Sequence, residues 1–261
     1  MRTLVGISLA IGLAALPQAA NAESVDLLVV VENLAPTNSV TFAPLRVGFN
    51  SGVYDSFDSG AAASAAIVSI AEGGSGSDWF PAFGAADPTA TLGTVVSNPP
   101  GPLTPGATAS ATFTIDTDVN PYFTFGAMVV PSNDYFIGND SPTAHQLFDG
   151  GGNLQVSSIS LTASDIWDAG SEVDGLFGAA FLTGSMNSDH TPDTENVHHD
   201  FADLSIFNGQ QTAAGYTFDS QLTAATDIYR ISFQVVPEPT SALLIATGAG
   251  LLLRRRRRAA A

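Results

Sequence analysis

The chain has 261 residues, no cysteine, and 25 acidic against 8 basic residues, a formal net charge of −17. So few cations argue against nucleic acid as a partner, because little is present to replace phosphate counterions. Without disulfides, core burial or a bound metal must hold an exported fold together.

Residues 1–22 read as a secretory signal. Arg2 gives a short positive start, residues 4–16 are apolar but too few to span a bilayer, and Ala20, Asn21 and Ala22 supply small residues at a cleavage point. The mature chain is expected to begin near Glu23 and to be exported. The segment 23–235 is long enough for one large β domain or two small ones.

The first strand signal, VDLLVVVENLAP (25–36), is almost continuously apolar, which predicts a strand covered on both faces. PLRVGFNSG (44–52) alternates, with Leu45, Val47 and Phe49 on one side. DSGAAASAAIVSIAEGG (58–74) predicts one short helix, with Asp58 or Ser59 as N-cap and Gly73 and Gly74 as its stop. NPPGPLTPG (98–106) is a stiff turn. TASATFTID (108–116) then alternates cleanly, with Ala109, Ala111, Phe113 and Ile115 inward.

FTFGAMVVPSNDYFIGND (123–140) begins as a strand and breaks at Pro131. Asp134 comes just after the break, Tyr135 and Phe136 can pin the loop to the core, and Asp140 closes it. LQVSSISLTA (154–163) changes parity between Leu154 with Val156 and Ile159 with Leu161, which predicts a bulge near Ser157 and Ser158. SDIWDAGSEVDG (164–175) gathers Asp165, Asp168, Glu172 and Asp174 with no lysine or arginine near. Trp167 can anchor this loop, and Gly170 lets the backbone turn so that Asp168 and Glu172 aim at one point.

SDHTPDTENVHHD (188–200) holds His190, His198 and His199 but lacks a His-Glu-x-x-His spacing, so it reads as a solvated polar loop rather than a zinc site. DIYRISFQVV (227–236) alternates again, with Tyr229, Ile231, Phe233 and Val235 inward. Many short strands, frequent turns and scarce helix predict an all-β antiparallel sandwich.

The C-terminal segment 236–258 joins Pro237-Glu238-Pro239, an apolar stretch at 240–253 and five arginines at 254–258. Fourteen apolar or small residues fall short of the roughly 20 a spanning helix needs, but snorkelling arginines extend the reach. The segment therefore reads as a temporary membrane stop. It resembles the bacterial PEP-CTERM sorting signal, which implies a Gram-negative source and removal of the tail by an exosortase-type enzyme. Once both ends are gone, 24 acidic residues face only Arg46 and Arg230, a net charge of −22.

ENLAP (32–36), the helix after YDSFDSG (54–60), GPLTPG (101–106), MVVPSNDYFIG (128–138) and WDAGSEVDG (167–175) stand in the order and spacing of spondin N-terminal domains. The resemblance spans most of residues 25–235. It implies a β-sandwich like the calcium-dependent lipid-binding modules, found in matrix and adhesion proteins. It also implies Ca2+ held by Asp134, Asp168 and Glu172. The last position is usually aspartate in animal members, and Asp174 can take its place. Calcium suits such a set, since it takes six to eight oxygens in irregular geometry.

The expected function is a non-enzymatic surface or biofilm-matrix adhesion module, with acidic exopolysaccharide or cell-surface components as partners. The alternatives are a carbohydrate-active enzyme using the same carboxylates, or a surface protein whose calcium is purely structural. No cysteine nucleophile, Gly-x-Ser-x-Gly elbow or phosphate-cradling loop favours catalysis.

Overall fold

The structure, a computed structural model, describes residues 24–237. The signal expected at 1–22 and nearly all of the tail expected at 236–258 lie outside the described residues. Among the described residues eleven strands run in chain order: β1 (Ser24–Asn33), β2 (Thr41–Phe42), β3 (Leu45–Asn50), β4 (Thr91–Val95), β5 (Thr108–Asp116), β6 (Tyr122–Val130), β7 (Tyr135–Gly138), β8 (Ser158–Thr162), β9 (Trp167–Asp168), β10 (His198–His199) and β11 (Asp227–Val236). They form two antiparallel sheets, in the orders β5-β1-β11-β8 and β10-β9-β7-β6-β3-β4, with β2 added beside β6. The protein is an all-β sandwich, as its alternation predicts.

The core lies between the sheets. Leu27, Val29 and Val31 of β1, Ile115 of β5, Ile159 and Leu161 of β8, and Tyr229, Ile231 and Phe233 of β11 face Val47, Phe49, Phe123, Phe125 and Ile137 of the opposite sheet. Phe49 sits 5.3 Å from Phe113 and 5.2 Å from Phe123, ring centre to ring centre, and so stitches the two layers. Each such side chain contributes about 1.5–3 kcal/mol by leaving water.

Three strand details differ from expectation. The second face of β1 (Leu28, Val30, Glu32) is half-buried rather than covered, because no third layer lies over it. Val235 is 37% exposed despite its inward parity, since the pairing of β11 with β8 ends at Ser232 and leaves that side of the strand open. The register irregularity falls between Asp227 and Tyr229 in β11, opposite Leu161 and Thr162, and not inside the β8 strand. It lets Ile228 and Tyr229 both be buried. The parity change near Ser157 is real but is a bend before β8 begins.

Two helices lie on the outer side of the larger sheet: α1 (Ala65–Ala71) and α2 (Trp79–Ala86). The N-cap of α1 is Ser64, whose hydroxyl accepts from the Ile67 amide at 3.3 Å. Asp58 and Ser59 are unavailable for that role, because the chain there is tied elsewhere. Ser59 donates to Asp140, and Gly60 donates to the Val197 carbonyl. Helix α2 is not foreshadowed by the sequence pattern, with Pro81 and Gly84 inside it and no side-chain cap. Trp79 and Phe83 bury its inner side in a second apolar cluster with Ile67, Ile70, Phe136 and Trp167. No helix among the described residues is long and apolar enough to cross a membrane.

Candidate metal centre

The acidic end is built where the turn after β6 meets the short strand β9. Strand β6 stops at Pro131, and the Ser132 hydroxyl donates to the Val129 carbonyl while accepting from the Tyr135 amide. That turn leaves Asp134 fully buried at the head of β7. Tyr135 and Phe136 anchor it in opposite directions, Tyr135 into the main core and Phe136 into the cluster beneath the helices. Strand β9 pairs beside it, with Tyr135 opposite Asp168 and Phe136 opposite Trp167. Trp167 anchors its own loop, as expected. Its indole N–H donates to the Gly138 carbonyl at 3.1 Å, and its ring packs 5.1 Å from Phe57.

Gly170 makes the return possible. Its φ is +64°, and a Cβ there would lie 2.7 Å from the Glu195 carbonyl carbon and oxygen, so only glycine fits. The chain beyond it is tied down by two side chains of the β6–β7 turn. Asp134 Oδ2 accepts from the Ser171 amide (2.7 Å), the Glu172 amide (2.9 Å) and the Ser171 hydroxyl (3.1 Å). Asn133 accepts from the Gly175 amide at 3.0 Å and donates to the Phe177 carbonyl at 3.1 Å.

These contacts bring Asp134, Asp168 and Asp174 together, each offering a carboxylate oxygen within 4.8 Å of the others. Asp168 Oδ1 accepts from the Gly170 amide at 2.6 Å, and Asp174 Oδ2 accepts from the Tyr135 hydroxyl at 2.7 Å. Asp134 Oδ1 and Asp174 Oδ1 are buried with no hydrogen-bond partner. Glu172 stands outside that triad. It is buried, and its Oε1 lies 3.4 Å from His190 Nδ1.

Burial is the main cause of a raised pKa at all three aspartates. It pushes Asp168 up to about 7, with the Asp134 charge adding to the effect and the Gly170 amide opposing it. Asp174 rises to about 6 by burial, against the Tyr135 hydrogen bond and with further repulsion from Asp134. Asp134 is raised by burial and held back by the Glu172 and Ser171 amides. Neither described guanidinium relieves them: Arg46 donates to Thr94 and to the Gly74 carbonyl, and Arg230 pairs with Glu32 at 3.3 Å.

Such a group of oxygen donors fits a hard divalent cation. Calcium accepts carboxylates, carbonyls and water in irregular arrangements, and buried acceptor oxygens without donors are what such an ion would satisfy. The remaining acids of this sequence stretch serve the backbone. Asp165 closes the 3₁₀ turn Ala163–Asp165 by accepting from the Thr162 amide at 2.7 Å, and Asp140 accepts from Ser59.

The loop that holds the histidines is solvent-exposed over nearly all of residues 188–196, as its polarity predicts, and its last two histidines enter a strand. His198 and His199 form β10 against Asp168 and Trp167, and the His199 ring stacks 3.4 Å from the Trp167 ring. His190, from the same polar loop, comes to Glu172, a contact that the sequence does not announce. No protein-family model matches the chain, and no curated protein matches it.

Proposed function

We propose that this is an exported, non-enzymatic calcium-binding module of the cell surface or extracellular matrix, a bacterial relative of spondin N-terminal domains. One observation carries the reading. Three carboxylates from two loops, two of them buried and that of Asp174 half-buried, converge within 4.8 Å, with two of their oxygens lacking any donor and no lysine or arginine beside them among the described residues. Asp134 and Asp168, assigned to calcium from the motif resemblance, belong to this group. Asp174 supplies the third carboxylate, and Glu172 lies beside it. Calcium would offset the repulsion among them and bind the β6–β7 turn to loop 168–175.

The net charge expected for the mature chain repels acidic polysaccharide, so calcium would also bridge the surface to such a partner. Removal of the PEP-CTERM-like tail after export would free the module from the membrane. Calcium titration by calorimetry with thermal melting tests the reading. One calcium is expected per chain, with a melting temperature that rises in calcium and falls in chelator. A melting temperature indifferent to both would remove the mechanism. Hydrolysis of exopolysaccharide by the wild type, lost in Asp168→Asn, would replace it with the enzymatic reading.

A further inference from the structure

A cleft of about 260 Å³ opens at the edge of the sandwich, where the chain passes from β4 to β5. It is lined by Val30 of β1, by Val96 and Asn98 of the connecting loop, and by Thr108, Ala109 and Ser110 of β5. The aspartate triad lies by β7 and β9, with β6 and β3 standing between it and this edge.

The walls are held in place by the protein's own bonds. The Ser97 hydroxyl donates to the carbonyls of Pro99 and Gly101, 2.9 Å from each, and Leu103 is bonded in both directions to Phe42. Strand β5 forms the floor, in register with β1 from Asp116 opposite Ser24 to Thr108 opposite Glu32. The Asn33 amide donates to the Ala107 carbonyl at 3.0 Å. The alternation of an antiparallel pair then turns the Ser110 amide and carbonyl away from β1, toward the open edge.

The lining carries no charge. Glu32, opposite Thr108, is spent on Arg230 of β11 at 3.3 Å. Asn98, Thr108 and Ser110 are exposed, and among the described residues their side chains make no hydrogen bond. Each of the three both donates and accepts. Val30 and Val96 add methyl groups beside them, and Val96 is 38% exposed.

We propose that this cleft binds one ring of a neutral sugar. Groups that both donate and accept match the hydroxyls of a sugar, and the valine methyls match its C–H face. A phosphate, carboxylate or ammonium group would find no countercharge in the lining, and an anion would also meet the acidic excess of the chain. Pockets for drug-sized ligands run to about 300–1,000 Å³, so this smaller one takes a single ring and leaves the rest of a saccharide chain outside. The inference goes beyond the calcium reading and does not rest on it.

Nuclear magnetic resonance titration of the folded protein in chelator tests the inference. The probes are glucose, cellotetraose, mannotetraose and laminaritetraose, with tetragalacturonate as the charged control. At least one neutral sugar should shift the Asn98, Thr108 and Ser110 resonances, and tetragalacturonate should shift none of them. Ser110→Val and Asn98→Ala should each weaken binding at least tenfold at an unchanged melting temperature. A tetrasaccharide that binds more tightly than glucose supports the inference with a polysaccharide as the source, and equal affinity supports it with a free sugar. Calcium should leave the sugar affinity unchanged, so this inference and the calcium reading fail separately. No shift with any neutral sugar, binding that survives both substitutions, or an equal response to tetragalacturonate would each overturn the inference.

Discussion

The four-stranded sheet and the acidic end of the larger sheet are held together by opposite means. In the former, long strands register residue by residue, with β1 paired to β5 from Ser24 to Glu32 and to β11 from Asp26 to Asn33. Its inward side chains are apolar and its stability is transfer free energy, indifferent to ions. At the acidic end, the strands are two to four residues long, and the chain is tied by carboxylates and amides. Burial there raises the energy of charged groups instead of lowering that of apolar ones. With calcium bound as proposed, one domain would be metal-independent in one half and metal-responsive in the other.

The largest test of that contrast removes apolar volume. Phe49→Ala should cost about 3–5 kcal/mol, the usual penalty for truncating a buried phenylalanine. Urea unfolding with calcium and with chelator should give the same loss, because Phe49 lies in the sheet core. Calcium at about 100 times its dissociation constant should add about 2.7 kcal/mol, a rise of roughly 5–10 °C in melting temperature. Asp168→Ala should lower calcium affinity at least tenfold and hardly alter the metal-free fold, as read by calorimetry and circular dichroism.

A smaller effect is expected from pH in chelator. Asp168 moves from 3.8 up to about 7 on folding, so the folded state holds a proton that the unfolded state releases first. That contribution is complete below pH 3.8 and is lost as pH rises through about 7. Melts in chelator should therefore show greater stability near pH 5 than near pH 8, and saturating calcium should flatten or reverse that slope. The smallest change is Asp165→Ala, which opens the 3₁₀ turn for about 1 kcal/mol and leaves calcium affinity untouched.

The same contrast explains what was legible in the sequence. Ala109 to Ile115 and Tyr229 to Phe233 declare their strands because one face is apolar and the other polar. Val235 misleads because parity gives direction but not where the neighbouring strand β8 ends. Helix α2 has no periodic polar face to advertise it, and Pro81 and Gly84 read as breakers although Trp79 and Phe83 bury it. At the site, local turn chemistry in Pro131, Trp167 and Gly170 points to Asp134 and Asp168. The choice between Glu172 and Asp174 depends on Tyr135 and Asn133 drawing residues 174 and 175 inward, a long-range matter that spacing does not encode. His190 is visible in the sequence as part of the polar loop, but its approach to Glu172 is not, for the same reason.

Asp134 has a consequence for anyone dissecting this end of the molecule. One of its oxygens is spent on three donors from residues 171 and 172, so it is a rivet in the peptide chain before it is anything else. An asparagine there would keep an acceptor on one side only, loosening the segment or emptying the cluster according to how the amide turns. Protease sensitivity between residues 171 and 178 would distinguish those outcomes. Substitution at Asp168 gives the cleaner report on the ion, and substitution at Asp134 reports on the ion and the rivet together.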